Sequence, residues 1–163
     1  MEYCIVPMTR IHTGQIADIE RLCFPDPWSR QLLEELVDHA GAVSLAAVGE
    51  DGTVLGYASA QTVLDEGYIN NVAVHPACRR QGIASRLLEE LRRQGEALEL
   101  AFLTLEVRAS NHAAQALYAK HGYLEAGCRR NYYEHPREDA ILMTLEFENG
   151  TESDDAGRVG GSI

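Results

Sequence analysis

The spacing of apolar residues along this chain changes between strand-like and helix-like periods, and these changes predict its secondary structure. Alternating or continuous apolar runs predict seven strands, at residues 3–8, 43–49, 54–63, 68–74, 103–108, 123–128 and 140–147. Apolar residues three or four positions apart predict four helices, around residues 16–22, 29–38, 81–97 and 111–121. Strands that are first antiparallel and later crossed by helices favour an α/β fold: a mixed, mostly antiparallel central sheet of about seven strands with helices on both faces.

The ends of the first two helices follow from residue types. Pro25 and Pro27 stop the first helix, because proline lacks the N–H that a helix needs. Ser29 is the expected N-cap of the second helix. The pair Asp51-Gly52 predicts the tight turn of a hairpin between the second and third strands. The buried face of the second helix is expected to consist of Leu32, Leu33, Leu36 and Val37.

The fifth predicted strand carries a carboxylate. Alternation separates an apolar face, made of Leu103, Leu105 and Val107, from a polar face, made of Thr104, Glu106 and Arg108. A carboxylate in a covered sheet is costly unless it meets water or a partner. The pattern alone leaves open whether Glu106 simply pairs with Arg108, two residues along the same face.

The segment between the fourth strand and the third helix is suited to a phosphorylated cofactor. Residues 79–84 read R-R-Q-G-I-A, in which Gly82 and Ala84 leave room for a diphosphate to approach the backbone. Free N–H groups in the first helical turn would point at that diphosphate. Val72 and Val74 are expected to offer backbone groups to the cofactor, because a strand that pairs poorly at its end leaves such groups available.

These motifs resemble those of the GNAT acetyltransferase superfamily, whose pyrophosphate loop has the pattern Arg/Gln-x-x-Gly-x-Gly/Ala after a strand. Further matches narrow the resemblance to the RimI-type enzymes, which acetylate the N-terminal alanine of a ribosomal protein. They are C-F with P-W-S at 23–29, L-E-V-R-A-S-N at 105–111, A-L-Y at 116–118, and R-R-N-Y-Y with E-D-A at 129–140. The resemblance covers approximately residues 16–143, and it implies acetyl-CoA as cosubstrate and direct attack by the amine in a ternary complex.

The resemblance also implies roles for individual residues. Glu106 would be the general base, acting through water, and Tyr118 the general acid that meets the leaving thiolate. The implied cofactor-binding residues are Val72, Ala73, Val74, Arg79, Arg80, Gln81, Gly82, Ile83, Ala84, Ser85 and Asn111. The implied substrate-binding residues are Phe24, Trp28, Tyr132 and Tyr133, and which of the two tyrosines faces the substrate stays open.

Each of these roles has a structural alternative. By spacing alone, Tyr118 is more often a core aromatic residue, and Asn111 is a natural helix N-cap. Phe24 and Trp28 belong to a proline-containing loop that would also serve as a rigid connection around a buried indole. We treat His12, His39 and His112 as surface residues.

Composition limits the possible partners. The 163 residues fit one domain, predicted at residues 1–147, followed by an acidic and disordered tail at 148–163. The net charge of −11 disfavours nucleic acid and favours a basic partner such as the N-terminus of a ribosomal protein. No spacing of cysteine or histidine suggests a metal, and no run of 18 apolar residues or secretion signal occurs, so a cytoplasmic location without membrane contact is expected. The oligomeric state cannot be predicted.

Three alternatives compete with the N-terminal alanine assignment. The first is an acetyltransferase for a polyamine or another small amine on the same fold, and the second is an enzyme that acts broadly on N-termini. The third, a CoA-sensing subunit without catalysis, is disfavoured because Glu106 and Tyr118 are intact. At pH 7 the neutral form of an α-amine of pKa ~8 costs roughly 3 kcal/mol less free energy than that of a lysine of pKa ~10.4. A base that acts through water is therefore better suited to an N-terminal α-amine than to a lysine.

Overall fold

The computed structural model describes residues 2–148, and the predicted tail beyond Glu148 lies outside the described residues. The four helices are α1 (Thr13–Cys23), α2 (Arg30–Asp38), α3 (Ile83–Ala97) and α4 (His112–Lys120). The seven strands are β1 (Tyr3–Pro7), β2 (Ala42–Gly49), β3 (Val54–Val63), β4 (Glu66–Val74), β5 (Phe102–Arg108), β6 (Leu124–Glu134) and β7 (Arg137–Glu146). They form one mixed sheet in the order β1-β2-β3-β4-β5-β7-β6, in which β4 and β5 are parallel. The predicted α/β fold with a seven-stranded, mostly antiparallel sheet is confirmed.

Contacts divide the described chain into two compact units, residues 2–61 with 69–91, and residues 62–68 with 92–148. In the first unit β2 pairs with both β1 and β3 in antiparallel register, and α1 packs against α2. A continuous apolar core lies beneath them. It consists of Met8, Ile16, Ala17, Ile19, Leu33, Leu36, Ala46, Val54, Tyr57 and Ala73.

Local signals in the first unit are largely confirmed. The Ser29 hydroxyl accepts a hydrogen bond from the backbone N–H of Leu32 at 3.1 Å, which makes it the N-cap of α2. Leu33 and Leu36 are buried as predicted, but Leu32 is 47% exposed, so its assignment to the buried face was wrong. A nine-residue helix buries only a narrow stripe, and Leu32 lies in the first turn outside it.

His12 is also a correction, because it is buried rather than on the surface. Its Nδ1 accepts a hydrogen bond from the backbone N–H of Thr9 at 3.0 Å, so the imidazole closes the short turn (Arg10–His12) that leads into α1. Burial lowers the pKa of His12. A local side-chain to backbone bond of this kind leaves no trace in hydrophobic periodicity.

In the second unit, β5 lies between β4 and β7. It forms three parallel pairs with β4, from Glu66↔Phe102 to Tyr68↔Thr104, and seven antiparallel pairs with β7. Burial along β5 alternates strictly, with Leu103, Leu105 and Val107 buried. This confirms the predicted separation of the two faces and places Glu106 on the less buried one.

The hairpin of β6 and β7 is longer than predicted and irregular. Arg129 pairs with Ala140 and Tyr133 pairs with Glu138, so three residues of β6 stand opposite a single residue, Asp139. The middle residue of the three, Asn131, has φ 53° and donates its backbone N–H to Asp139 Oδ1 at 2.8 Å. Bulges of this type redirect side chains and often lie beside active sites.

Candidate active site

The segment between β4 and α3 has the backbone geometry of an anion-binding loop. A short turn at Pro76–Cys78 follows β4, and Arg80 and Gly82 then take positive φ angles of 66° and 80°. Helix α3 therefore begins at Ile83 rather than at the predicted Gln81. A Cβ built on Gly82 would meet no atom within 4 Å, so the backbone is open to a ligand there. The first-turn residues Ile83, Ala84 and Ser85 lie directly after this opening.

Arg79 is held by the end of β4. Its Nε donates to the carbonyl oxygen of Val74 at 3.2 Å, and its Nη2 donates to Cys23 Sγ at 3.2 Å. The Cys23 thiol lies 3.6 Å from the same carbonyl oxygen. The predicted cofactor residues Val72, Ala73 and Val74 thus lead into a loop whose first arginine is fixed by protein contacts. Sequence patterns did not suggest Cys23 as its partner.

The loop between α1 and α2 carries the two predicted aromatic residues. Phe24 and Trp28 are both partly buried and pack against the core of the first unit. The backbone N–H of Trp28 donates to the carboxylate of Glu20 in α1 at 2.8 Å. The loop is therefore anchored through its backbone while part of each aromatic surface stays accessible.

Glu106 forms an ion pair, but not with Arg108. Its Oε2 accepts from Nε of Arg129 at 3.0 Å, and the two side chains are 25% and 55% exposed. Arg108 instead pairs with Glu138 at 3.2 Å and donates to the carbonyl oxygens of His135 and Pro136 at the tip of the hairpin. The suggested pairing of Glu106 with Arg108 is wrong, because neighbouring strands offer each arginine a different acceptor.

Glu138 fixes the start of the loop after β5. Its Oε2 accepts the backbone N–H of Ser110 at 2.6 Å. Hydrogen bonds from Ser110, supported by Arg108, lower the pKa of Glu138. Two positions further, the Asn111 side chain accepts the N–H of Ala114 at 3.1 Å and caps α4, which confirms its predicted structural role.

Tyr118 is a buried residue of α4. It is 9% exposed, and its ring makes an edge contact with Tyr123 at a centroid distance of 5.9 Å. Burial raises the pKa of Tyr118 to about 12. The phenol therefore keeps its proton across the physiological range.

Tyr132 and Tyr133 meet edge to face at 5.0 Å beside Glu106. Burial, followed by the charge of Glu106, raises the pKa of Tyr132, and Arg129 opposes the rise. Burial raises the pKa of Tyr133 to about 12, with smaller contributions from Tyr132 and Glu106. The two rings differ in their surroundings, because Tyr132 is 48% exposed whereas the Arg108 guanidinium lies 4.3 Å from the centre of the Tyr133 ring.

The second unit thus brings together a partly exposed carboxylate, an arginine and two tyrosines. The first unit holds the segment of residues 79–85, here called the glycine loop, together with the end of β4 and the loop of Phe24 and Trp28. Among residues 2–148, no group of three or more His, Cys, Asp or Glu side chains could hold a metal ion. Within the same range, no helix has the length and apolarity required to cross a membrane.

The profile of the acetyltransferase (GNAT) family matches residues 13–123, which is more than half of the chain. The chain belongs to the GNAT acetyltransferase family. The predicted superfamily is therefore confirmed, and the glycine loop, β4 and α4 all lie within the matched GNAT region.

Curated relatives place this chain in one branch of the GNAT family. The [ribosomal protein bS18]-alanine N-acetyltransferase of Escherichia coli is 49% identical over 98 residues, which are 59% of this chain and 66% of that protein. The enzyme of the same name from Haemophilus ducreyi is 38% identical over 136 residues, covering 81% of this chain and 92% of that protein. These relatives confirm the predicted RimI-type branch of the GNAT family.

Solved GNAT structures agree with the fold. The crystal structure of the ribosomal-protein-S18-alanine N-acetyltransferase from Escherichia coli has a TM-score of 0.82 at 37% identity, covering 89% of this chain and 94% of that one. Arabidopsis thaliana NAA60, solved in complex with acetyl-CoA, has a TM-score of 0.81 at 20% identity, covering 90% of this chain and 99% of that one. The second likeness concerns the fold alone.

Proposed function

We propose that this GNAT enzyme transfers the acetyl group of acetyl-CoA to the N-terminal α-amine of a small-subunit ribosomal protein that begins with alanine. The observation that carries the proposal is a partly exposed carboxylate, Glu106, flanked by Arg129 and two tyrosines in a chain that resembles bS18-alanine acetyltransferases. The reaction takes place in the cytoplasm, where ribosomal proteins are made. No metal takes part in the proposed chemistry.

The glycine loop holds the diphosphate of acetyl-CoA. The positive φ angles of Arg80 and Gly82 turn the backbone so that N–H groups of residues 81–85 surround an anion at the start of α3. The helix dipole adds a partial positive charge at this end, which offsets the net negative charge of the protein locally. Val72, Ala73 and Val74 contribute backbone groups to the pantetheine arm, and Asn111 contacts the same arm while capping α4.

Glu106 accepts the proton of the substrate amine through a water molecule. At pH 7 an α-ammonium of pKa ~8 lies only about one unit from its neutral form, so a carboxylate is a sufficient base. The neutral amine attacks the thioester carbonyl carbon, the C–S bond to CoA breaks as the amide bond forms, and the second proton of the nitrogen passes through water to the leaving thiolate. Backbone donors near Val74 polarise the carbonyl oxygen, and no covalent enzyme intermediate forms.

Tyr118 stabilises the leaving thiolate. A phenol whose pKa is about 12 is a weaker acid than a thiol of pKa ~8.5, so complete proton transfer to the sulfur is uphill. Hydrogen bonding to the developing negative charge requires only that the proton be present, and the raised pKa ensures that. Tyr118 therefore acts as a fixed donor more than as a strong acid.

Tyr132 faces the peptide, and the ring of Tyr133 packs against the ring of Tyr132. The greater exposure of Tyr132 and the Arg108 guanidinium over the ring of Tyr133 favour this division. Phe24 and Trp28 contribute apolar surface for the first side chains of the substrate. The small alanine side chain leaves most of the binding to the backbone and to the following residues.

The test is a comparison of acceptors. Purified protein is given acetyl-CoA with an alanine-initiated basic peptide, the same peptide blocked at its N-terminus, or spermidine, and CoA release is measured together with the product mass. We expect turnover only of the free alanine peptide, with the mass gain of a single acetylation on its α-amine. Faster turnover of spermidine would move the assignment to small amines, and absence of turnover with every acceptor would refute catalysis.

A further inference from the structure

Glu20 is a fully buried carboxylate that the proposed chemistry does not use. It is 0% exposed and lies within α1, near the end of that helix. Its Oε1 accepts the backbone N–H of Trp28 at 2.8 Å, and its Oε2 accepts from the Asn71 side chain at 2.9 Å. The hydroxyl of Tyr57, itself buried, also donates to Oε2.

The three donors come from three different elements. Trp28 lies in the loop after α1, Tyr57 in β3 and Asn71 in β4, directly before Val72. Asn71 Nδ2 also lies 3.1 Å from the Tyr57 hydroxyl oxygen, so the three polar side chains form one closed cluster. All of its members lie in the first unit. Glu20 therefore connects the loop of Phe24 and Trp28 with the strand assigned to the cofactor.

A carboxylate is a costly means of holding a helix in a core. Burying an ionised group is strongly unfavourable unless its lone pairs are satisfied, and an apolar side chain would stabilise α1 more cheaply. What an apolar residue cannot do is accept a backbone N–H and thereby fix the path of a loop. Because the buried carboxylate stabilises the fold less than an apolar side chain would, its use here indicates that the position of the loop matters.

We propose that Glu20 is a positioning residue, which fixes the loop of Phe24 and Trp28 against β4 so that the peptide terminus is held next to the acetyl donor. This inference rests on the proposed function in assigning the peptide to that loop. Loss of the carboxylate acceptor loosens peptide binding, while the diphosphate site at Gly82 is left intact.

The informative variant is Glu20→Gln, which preserves shape but turns one acceptor into a donor. A glutamine offers one acceptor oxygen where the carboxylate offered two, so its NH2 group must face either the Trp28 N–H or the Asn71 amide, and the cluster is mismatched. Combining Glu20→Gln with Asn71→Asp restores an acceptor opposite the amide and should recover function. Ser59→Ala is the matched control, because buried Ser59 bonds with Asn70 across the same two strands at 3.3 Å without contacting the loop.

Steady-state kinetics provide the first measurement. We expect Glu20→Gln to raise KM for the alanine peptide about tenfold, with kcat and the affinity for CoA changed less than about twofold. Ser59→Ala should leave both constants near the wild-type values. An unchanged peptide KM, or equal changes in Glu20→Gln and Ser59→Ala, would overturn the positioning role.

A second measurement does not depend on activity. Trp28 is the single tryptophan of the chain, so its fluorescence reports the loop directly. Glu20→Gln should shift the emission to longer wavelength and increase acrylamide quenching, and the double variant should reverse both effects. If the wild-type protein fails to acetylate the peptide but these shifts occur, the proposed function fails and the anchoring of the loop stands. If Glu20→Gln does not fold, Tyr57→Phe replaces it, because this variant removes one donor to Glu20 and keeps the hydrogen bond from Trp28. Tyr57→Phe should shift the Trp28 emission in the same direction by a smaller amount. An unshifted emission in Tyr57→Phe would contradict the proposal.

Discussion

Glu106 of β5 and Arg129 of β6 are in direct contact at 3.0 Å, although β7 separates their strands in the sheet. The long arginine side chain crosses the intervening strand and places its Nε against the carboxylate. In the proposed reaction the substrate ammonium would approach the carboxylate that this guanidinium contacts. We infer that Arg129 orients the carboxylate in the free enzyme and that the incoming substrate would compete with it.

The first prediction concerns this pair. Arg129→Gln should lower kcat/KM for the alanine peptide by about three- to tenfold, because the carboxylate loses its orienting partner. An exposed ion pair contributes only ~0.2–1 kcal/mol, so Tm should fall by less than about 4 °C. Arg130→Gln makes the same change in net charge one residue along and is the control. Equal losses in both variants would mean that overall charge, rather than the contact with Glu106, is responsible.

The second prediction tests the base. Glu106→Gln should lower the rate by about 100-fold at pH 6, where the amine is protonated, and the deficit should shrink as pH rises past ~8. The measurement is a pH profile of kcat/KM for the alanine peptide in wild-type and variant enzyme. A constant deficit at every pH would indicate that Glu106 positions the substrate and does not accept its proton.

The third prediction concerns the glycine loop. Gly82→Val should weaken CoA binding at least about tenfold in calorimetry, because the side chain fills the space left for the diphosphate. Gly52→Val is a matched control, since Gly52 also has a positive φ angle and open space at its Cβ position. Both variants should lose similar stability from the strained backbone, of order 1 kcal/mol. Unchanged CoA affinity in Gly82→Val would remove the assignment of this loop.

The fourth prediction concerns the acceptor. A protein of net charge −11 should favour peptides with arginine after the terminal alanine, and the preference should weaken with salt, which screens charges over ~8–10 Å. Turnover of an arginine-rich peptide and of a neutral analogue at low and high ionic strength gives the comparison. Equal use of both peptides at low salt would exclude charge as the means of selection.

The fifth prediction links Glu20 to stability. Burial raises the pKa of Glu20 above its ordinary value, despite its hydrogen bonds from Trp28, Tyr57 and Asn71. The folded protein then holds a proton that the unfolded chain has already released, so stability from this group is lost as pH rises from ~4.3 through the raised pKa. The free energy of unfolding of the wild type, relative to Glu20→Gln, should therefore decline as pH rises above ~4.3, and urea unfolding at successive pH values measures it.

A contrary slope would show that the hydrogen bonds outweigh burial. The hydroxyl of Tyr57 donates to Glu20, and the thiol of Cys23 in turn interacts electrostatically with Tyr57. Burial raises the pKa of Tyr57 strongly, so it stays neutral in this window. Repeating the comparison with Cys23→Ser separates any contribution of the thiol.

Sequence patterns predicted what depends on neighbours along the chain. The alternation of β5 and the N-caps Ser29 and Asn111 were confirmed, because each is set by residues at most a few positions apart. The resemblance supplied the family, which is also confirmed. The periodicity of hydrophobic residues alone predicts the fold class but not the reaction that the protein catalyses.

Partners distant in sequence could not be predicted. Arg129 meets Glu106 across 23 positions, and Asn71 meets Glu20 across 51. In the sequence, Glu20 follows Ile19 in α1 and cannot be distinguished from an exposed helical glutamate. Helical periodicity does not show which carboxylate accepts a hydrogen bond from the N–H of a distant loop. The irregular pairing of β6 with β7, which brings Tyr132 and Tyr133 to Glu106, is likewise set by tertiary contacts.

Because of the bulge in β6, substitutions and changes of chain length have different effects on this hairpin. In this chain pairing resumes at Tyr133↔Glu138 after three residues that stand opposite Asp139, so the length of the bulge sets the face that each tyrosine takes. Substitutions there alter the chemistry of the surface, whereas a single insertion or deletion is expected to change the face of the sheet that each ring takes. In this part of the fold, chain length within the bulge therefore matters as much as side-chain identity for the surface that the two tyrosines present.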